Sequence, residues 1–442
     1  MRTKPVFPLL VSMSVPMMLS MLIQSLYNIV DSIYVSRLGT DALTAVSLAY
    51  PLQNAIVSVG VGIGVGISSA VSIYLGSGDQ EKADRAATLG VILTFFHCIL
   101  FVLAGIFITR PFLHLFTDDP DILKDACDYT YIVLCLSFGA LLQLAFEKIF
   151  QSIGKMKITM YLLIVGCVIN IILDPVLIFG LLGFPALGVA GAAIATVIGQ
   201  ISAFLLYILV YVRKSYAVRI RLKYVRPDWK IIRRIYSVGI PSSIMMLLPS
   251  VLISLLNRIL ASFSDLYVAV LGVYFKLQTF IYMPANGIVQ GMRPILGYNY
   301  GAGEHARVRS TIRYSLGCAA AIMLIGTLLS LILPGQIFTL FDADAALMDA
   351  GVTALRIICL GFLISSIGVI YAGAFEALGN GRDSLIISLL RQFVVTIPLS
   401  YMLSHFFGPV GVWIAFPAGE FCAAVVAFFL LKTYKKGAFS PF

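Results

Sequence analysis

The sequence predicts an all-α polytopic membrane protein with 12 transmembrane helices in two pseudo-symmetric six-helix bundles. Three observations lead to this fold class. The chain of 442 residues is 60% hydrophobic and 12% charged, and its mean hydropathy of +0.97 lies outside the range of soluble globular chains. Apolar runs long enough to cross a bilayer recur along its length. Landmark residues of the first half recur 225 positions later in the second half.

The predicted spans form two sets of six, and prolines and paired glycines mark nearly every boundary. The first set is 8–36, 42–73, 87–110, 122–151, 157–180 and 187–212. The second set is 232–262, 267–299, 309–333, 347–377, 383–406 and 409–432. We predict an N-terminal lobe over 1–214, a basic cytoplasmic linker over 215–231 and a C-terminal lobe over 232–442.

The repeat is recognised from residues that recur at one offset. The equivalent pairs include Pro16 and Pro241, Gly62 and Gly287, Gly66 and Gly291, and Phe150 and Phe375. An internal repeat in so apolar a chain is typical of a membrane transporter made of two related bundles. Because each half has an even number of helices, we expect the halves to be related by an axis along the membrane normal.

The two halves differ at their polar positions. The residues Asp31, Asn170 and Asp174 correspond to Leu256, Val395 and Leu399. A charged group inside the hydrocarbon costs about 2.5–3.5 kcal/mol on insertion scales, so such residues are functional candidates. We therefore predict that the polar machinery is confined to the first half.

The net charge of +10 is concentrated in loops. The linker region holds Arg213, Lys214, Arg219, Arg221, Lys223, Arg226, Lys230, Arg233 and Arg234. No base-stacking aromatic residues are interleaved with them, so the pattern indicates membrane topology and anionic lipid headgroups rather than nucleic acid.

Alternate loops carry opposite charge. The basic side also holds Arg2, Lys4, Lys82, Arg85, Arg293, Arg307, Arg382 and Arg391, among others. The other side holds Asp118, Asp119, Asp121 and Asp125, then Asp342, Asp344 and Asp349. Because positive charge stays inside, we predict a multi-pass protein of the inner or plasma membrane with both termini cytoplasmic. We expect a monomer surrounded by the lipid bilayer.

Four polar residues of the first half are predicted at one depth. At about 1.5 Å per helical residue, Asp31 lies roughly 8 Å and Asp174 roughly 9 Å from the outer ends of their spans. Asn170 is one turn before Asp174 on the same face, and Thr196 enters from outside to nearly the same level. These oxygens predict an ion-coupling site that takes a proton or holds Na⁺ at Asp31, Asn170 and Asp174. The alternative is that Asp174-Pro175 is a helix kink and Asp31 reaches the outer interface.

Other features allow two interpretations each. Aromatic residues and methionines are candidates for a soft substrate cavity, and the same residues could face lipid. The candidates are Tyr27, Tyr34, Met245, Lys276 and Tyr282. Lys276 is expected as a buried charge with either a substrate-binding or a structural role. The glycine run 60–66 favours close helix packing, and a bending point is the alternative.

The sequence lacks the usual enzyme signatures, so we expect no enzymatic activity. It contains no HExxH, GxSxG or Walker A motif, and its four histidines show no metal-ligand spacing. The seven cysteines form no CxxC pair. With no nucleotide site, pumping must use an ion gradient, and we expect no cofactor other than H⁺ or Na⁺ as the coupling ion.

Two motifs resemble the multidrug and toxic compound extrusion (MATE) family. They are Asn170-Ile-Ile-Leu-Asp174-Pro175 with the following Gly188 to Thr196, and Pro294-Ile-Leu-Gly-Tyr-Asn-Tyr-Gly-Ala-Gly303. Asp31 matches the acid of the family's first span. The resemblance covers essentially the whole chain and implies a MATE/MOP-type fold with two lobes around a cavity that opens alternately to each membrane face.

The resemblance also implies a branch and a function. The acids that some members carry in spans 7 and 10 are missing, so the chain looks DinF-like or MepA-like, with Asp31, Asn170, Asp174 and Thr196 as coupling residues. It implies a secondary active multidrug exporter that exchanges organic cations or amphiphilic drugs for H⁺ or Na⁺. The alternative is a lipid or lipid-linked oligosaccharide flippase of the same wider superfamily, which should have a more cationic cavity.

Overall fold

The computed structural model describes residues 1–341 and 343–438. Asp342, which the charge pattern assigns to an outer acidic cluster, lies outside the described residues. Two long series of α-helices follow one another along the chain. The first comprises α1 Val6–Ser36, α2 Thr40–Gly76, α3 Gln80–Leu113, α4 Pro120–Cys135, α5 Phe138–Ser152, α6 Met156–Phe179 and α7 Gly188–Arg213.

The second series begins after the basic connection and contains shorter pieces as well. It comprises α8 Trp229–Ala261, α9 Asp265–Gly301, α10 His305–Ile332, α11 Pro334–Thr339, α12 Ala345–Ile358, α13 Leu360–Ala377, α14 Gly381–Leu389, α15 Thr396–Phe407 and α16 Pro409–Ala438. A π-helical turn, Leu390–Val394, joins α14 to α15.

The helices confirm the predicted fold class. In the described part of the chain, 11 helices are long and apolar enough to cross a membrane. The count reaches 12 when α4 and α5, which meet at a 44° bend, are taken as one span. Eleven predicted spans coincide with these helices or helix pairs to within several residues, because the apolar runs determine the spans and the intervening turns limit them. The predicted span 347–377 is divided between α12 and α13, of which α13 alone is apolar and long enough to count.

Contacts divide the chain into two compact units. The first unit is Leu19–Ser243, and the second combines Met1–Met18 with the chain from Ile244 onward. The two junctions, after Met18 and after Ser243, are themselves 225 residues apart. The units differ from the predicted lobes at 1–214 and 232–442 in two places. The start of α1 belongs to the second unit, and the start of α8 belongs to the first. The assignment of lobes in the membrane stays a prediction.

Glycines allow the exchanged helix starts to pack closely within each unit. In the first unit, a Cβ on Gly62 would lie 2.1 Å from Ser243 Oγ. In the second, a Cβ on Gly287 would lie 2.5 Å from Met18 Cγ, and one on Gly291 would lie 2.7 Å from the Ser14 nitrogen. These pairs are related by the same offset of 225, so the predicted close packing of the glycine face is confirmed.

A tight turn places α7 against α6 in the first unit. The helix α6 ends at Gly180, whose left-handed backbone (φ 74°, ψ 40°) terminates the helix. A Cβ on Gly191 would lie 2.5 Å from the Leu177 carbonyl oxygen, and one on Gly199 would lie 2.9 Å from that of Gly166. Because small residues line this contact, polar side chains on the two helices meet directly.

Candidate functional site

Three of the four predicted coupling residues meet between α6 and α7. Asn170, Asp174 and Thr196 are all buried. When the Asn170 amide is oriented so that both its nitrogen and its oxygen form hydrogen bonds, the NH₂ group donates to an Asp174 carboxylate oxygen at 3.0 Å. Its amide oxygen accepts from the Thr196 backbone N–H at 2.9 Å and from the Thr196 hydroxyl at 3.3 Å. The amide therefore links the carboxylate of one helix to the other helix.

The helix α1 brings the fourth coupling residue to this group. The carboxyl of Asp31 lies within hydrogen-bonding reach of the carboxyl of Asp174. The hydroxyl of Tyr27, one turn earlier, lies beside the Thr196 side chain. The Oδ1 atom of Asp31 is buried and meets no donor in the part of the chain that the structure describes. The fold therefore brings the four predicted residues together, and their depth in the membrane stays a prediction.

Positive charge is missing around the two carboxyls. Among the described residues, neither Asp31 nor Asp174 forms an ion pair with a lysine, arginine or histidine. Two carboxylates in contact repel each other strongly when they are removed from water. A shared proton or a bound cation relieves this repulsion, so the site requires a charge that its own side chains do not supply.

The oxygen donors suit H⁺ or a hard cation better than a transition metal. No group of three or more His, Cys, Asp or Glu side chains that could hold a metal ion occurs in the described chain. The available ligands are the two carboxyls, the Asn170 amide and the Thr196 hydroxyl. Carboxylate, carbonyl and hydroxyl oxygens are typical ligands of hard cations.

A small cavity adjoins this group. Its volume is about 100 Å³, and its lining includes Tyr27, Asn170 and Thr196. A water molecule takes up roughly 30 Å³, so the cavity has room for a few waters or a partly hydrated ion. Pockets for drug-sized ligands occupy roughly 300–1,000 Å³, so this cavity is too small for one.

Sequence reasoning missed several polar neighbours. Gln24, Gln143 and Gln200 line the cavity. The hydroxyl of Tyr129 donates to Gln53 Oε1 at 3.3 Å beside the two carboxyls. Helical spacing was an available signal, because Gln24 lies on the face of α1 that carries Asp31, and Gln200 is one turn after Thr196.

The family assignment follows from a match that occurs twice. The family model for MatE matches residues 16–176 and again residues 241–402, which together make up more than half of the chain. The chain belongs to the MATE family. The two matches begin 225 residues apart, so they also confirm the internal repeat on which the fold prediction rested.

Similar proteins extend over nearly the whole of this MATE-family chain. It is 29% identical to the multidrug export protein MepA of Staphylococcus saprophyticus, over 97% of this chain and 94% of that protein. A solved structure of an outward-facing multidrug resistance MATE family transporter of the MOP superfamily superposes with a TM-score of 0.91 at 26% identity, covering 99% of both chains. A MATE in complex with MaL6 gives a TM-score of 0.92 at 26% identity, covering 98% of this chain and 97% of that one.

The predicted substrate-contacting residues have varied positions. Tyr27 belongs to the cavity described above. Tyr34 packs edge-on against Phe179, with ring centroids 6.4 Å apart. In the second unit, the Met245 sulfur accepts from the Ser388 hydroxyl at 3.0 Å. A substrate-binding role for these residues stays a prediction.

Two other candidates of the second unit contrast in burial. The sequence predicts that Lys276 is a buried charge. Its side chain is exposed on α9, so this prediction is wrong. Tyr282 is buried and donates to the Ser365 hydroxyl at 2.7 Å. Their contact with substrate likewise stays a prediction.

The second unit contains a buried ion pair that corrects the assignment of Arg391. Arg391 lies within the span formed by α14 and α15, not on the cytoplasmic side to which the charge pattern assigns it. Its Nε is 3.0 Å from Glu420 Oε1 on α16. The second unit therefore also holds buried charged groups, and the confinement of the ion-coupling site to the first half stays a prediction. The sequence did not predict the pair, because the contact depends on which helix faces meet.

Proposed function

We propose that this MATE-family chain is a secondary active multidrug exporter, which exchanges organic cations or amphiphilic drugs for H⁺ or Na⁺ by alternating access. The observation that carries the proposal is the contact between Asp31 and Asp174 without an internal counter-charge. The names of the relatives support the export of drugs, and they do not favour the flippase alternative.

The coupling step is the binding of one cation to the carboxyl pair. When the site is empty, repulsion between the carboxylates favours an arrangement in which α1 and α6 separate them. A proton or Na⁺ removes that repulsion and lets Asp31, Asp174, Asn170 and Thr196 close around it. Because the cation binds the two arrangements with different affinities, it shifts the population from one to the other.

The gradient supplies enough energy for useful export. When the exported drug is uncharged, one cation entering down a potential of 100 mV releases about 2.3 kcal/mol, and since about 1.4 kcal/mol corresponds to a tenfold ratio, this supports a drug gradient of roughly fiftyfold. In a one-for-one exchange with a monovalent cationic drug no net charge moves, so the concentration ratio of H⁺ or Na⁺ drives export instead. We assign the drug to a site outside the small cavity and retain Tyr34, Met245 and Lys276 as proposed contacts. No covalent chemistry and no cofactor is required.

The proposed location is the inner or plasma membrane, with both termini cytoplasmic. The positive-inside distribution supports this orientation. A monomer suffices for the mechanism, because all the proposed coupling residues belong to one chain.

The deciding experiment is efflux of a fluorescent organic cation from proteoliposomes, with a pH gradient and a Na⁺ gradient imposed separately. We expect one gradient to drive efflux by the wild type. Asp31→Asn should abolish gradient-driven efflux while the protein stays folded, because the amide cannot exchange a proton and binds Na⁺ weakly. The matched control is Asp118→Asn, since the Asp118 side chain is 97% exposed and lies far along the chain from the site.

Each outcome has a clear meaning. Efflux with one gradient, lost in Asp31→Asn and kept in Asp118→Asn, identifies the coupling ion and its residue. Robust gradient-driven efflux by Asp31→Asn contradicts the assigned site. If the wild type, correctly oriented, responds to neither gradient, the exporter proposal fails and lipid cargo should be tested.

A further inference from the structure

The second unit holds a buried polar cluster around Arg391 and Glu420. The Arg391 Nε to Glu420 Oε1 distance is 3.0 Å, and the side chains are only 19% and 12% exposed. The guanidinium carbon of Arg391 lies 5.7 Å from the centroid of the Tyr282 ring. The other carboxylate oxygen, Glu420 Oε2, is buried and meets no donor among the described residues.

The local backbone brings this pair together. Arg391 lies in the π-helical turn, a feature that is frequent at functional sites. The Thr396 hydroxyl donates to the Arg391 carbonyl oxygen at 2.5 Å. A Cβ on Gly419 would lie 2.2 Å from that hydroxyl and 3.0 Å from the Arg391 oxygen. Because Gly419 has no side chain, α16 approaches the turn closely enough for Glu420 to reach the guanidinium.

The cluster occupies the counterpart of the candidate ion site. By the offset of 225, Asn170 corresponds to Val395, so Arg391 lies one turn before the equivalent of Asn170. After the two-residue contraction, Thr196 corresponds to Gly419, so Glu420 is the next residue after the equivalent of Thr196. Each unit therefore has an acidic group at the contact of the same two equivalent helices.

The two acidic groups differ in how they are neutralised. The carboxyl pair of the first unit has no internal cation, whereas Glu420 has a guanidinium in contact. Arginine cannot be deprotonated in proteins, so this positive charge is permanent. The other titratable groups around Glu420 are Tyr274 and Tyr282 of α9, which do not supply positive charge.

We propose that Arg391 is a built-in cation which fills the acidic site of the second unit, so that Glu420 takes up H⁺ or Na⁺ only when the guanidinium is removed. The coupling ion is thereby restricted to the first unit, and Arg391 determines how many cations the protein binds. This inference rests on the proposed function only where it compares the two units. Its test measures protonation and Na⁺ binding and needs no transport assay.

The test compares purified full-length variants in detergent or nanodiscs. Infrared absorption of protonated carboxylic acids detects a proton on Glu420 at neutral pH, and binding of radioactive Na⁺ at raised pH detects the alternative ligand. We expect Arg391→Met to gain one protonated-acid signal or one bound Na⁺ per protein. Adding Glu420→Gln to that variant should remove the gain, and Arg391→Lys should show none.

A matched control separates this effect from the simple loss of an arginine. Arg382 is exposed near the start of α14, and Arg382→Met should leave both readouts as in the wild type. Folding is checked by size-exclusion chromatography and circular dichroism. A folded Arg391→Met without either gain, or with a gain that persists after Glu420→Gln, would overturn the proposal.

One arm remains informative even if Arg391→Met does not fold. In the otherwise wild-type protein, Glu420→Gln should remove no protonated-acid signal and no Na⁺ binding, because the guanidinium already neutralises Glu420. Loss of either signal contradicts the proposal. Asp31→Asn in the same assays reports on the first unit, so failure of the proposed coupling site is distinguished from failure of this inference.

Discussion

At the residue scale, Thr196 connects the three helices of the candidate site. It lies on α7, hydrogen-bonds to Asn170 of α6 and lies beside the Tyr27 hydroxyl of α1. Its hydroxyl therefore orients two groups around the carboxyl pair without carrying charge itself. A side chain in this position affects how tightly the site closes on a cation rather than whether the cation binds.

We therefore expect Thr196→Val to weaken the cation response without abolishing it. One net hydrogen bond contributes about 1 kcal/mol, which corresponds to about a fivefold higher cation concentration for half-maximal efflux. Thr196→Ser keeps the hydroxyl and should restore the wild-type value. The measurement is efflux as a function of the coupling-ion concentration. An unchanged half-maximal concentration in Thr196→Val would show that the hydroxyl has no part in cation binding.

Another residue-scale prediction concerns Asp79, in the loop before α3. Its carboxylate accepts from the Lys82 backbone N–H at 3.0 Å and pairs with the Lys82 ammonium. The ammonium, followed by the backbone N–H, lowers the pKa of Asp79 below its ordinary value. A lowered pKa means that the charged form stabilises the folded state above the ordinary aspartate pKa, and that this contribution is lost as the pH falls.

Asp79→Ala should therefore cost about 1 kcal/mol of stability at neutral pH, the usual effect of losing a helix N-cap. The difference from the wild type should shrink as the pH falls below the ordinary aspartate range. Thermal unfolding at several pH values measures it. Glu304→Ala is the matched control, because Glu304 caps α10 at the equivalent position without a side-chain cap bond. Equal effects of both substitutions would contradict the cap assignment.

At the element scale, the glycine faces of α2 and α9 determine how closely the starts of α8 and α1 pack. The contact at Gly291 leaves no room, because a Cβ there would lie 2.4 Å from Ser14 Oγ and 2.7 Å from the Ser14 nitrogen. The second of these atoms belongs to the backbone and cannot rotate away. Adding even one methyl group must therefore shift a helix.

We expect Gly291→Ala to destabilise the protein by about 1–3 kcal/mol, the usual cost of overpacking. Gly317→Ala provides the control, because Gly317 is also helical and a Cβ there would meet nothing within 4 Å. Since alanine favours helix over glycine by about 1 kcal/mol, that variant should be neutral or more stable. Thermal unfolding in detergent compares the two. A Gly291→Ala variant as stable as Gly317→Ala would refute the packing argument.

Element boundaries could be predicted well, and contacts between elements less well. Apolar runs and the intervening turns are local features, so the helix ends could be read from them. The depths predicted for Asp31 and Asp174 rest on the helical rise alone and stay predictions. The glutamines of the cavity and the Tyr129–Gln53 contact depend on which helix faces meet, and residue spacing within one helix does not determine this.

At the scale of the whole molecule, the repeat predicted the two bundles, and the differences between the halves indicated the candidate site. Comparison at the fixed offset singled out Asp31, Asn170 and Asp174, because each falls on an apolar residue in the other half. The contact between Arg391 and Glu420 could not be predicted in this way, because it depends on which helix faces meet. The charge pattern also assigned Arg391 to the basic cytoplasmic side, whereas it lies within a candidate span and pairs there with the largely buried carboxylate of Glu420.

Orientation in the membrane is the remaining whole-molecule prediction. The linker region carries a run of arginines and lysines, whereas Asp118, Asp119 and Asp121 lie just before and at the start of α4. Retention of positive charge in the cytoplasm predicts that these two regions lie on opposite sides. Single cysteines at Arg226 and Asp118, in a variant whose seven native cysteines are replaced by serine, test this in intact cells.

A membrane-impermeant maleimide should label the Asp118→Cys variant from outside and leave Arg226→Cys unlabelled until the cells are opened. The physical reason is that moving the basic connection outward would carry many positive charges across the membrane against the potential. Labelling of Arg226→Cys in intact cells would invert the proposed orientation. The carboxyl pair would then lie nearer the cytoplasmic face, and the coupling cation would enter from the opposite side.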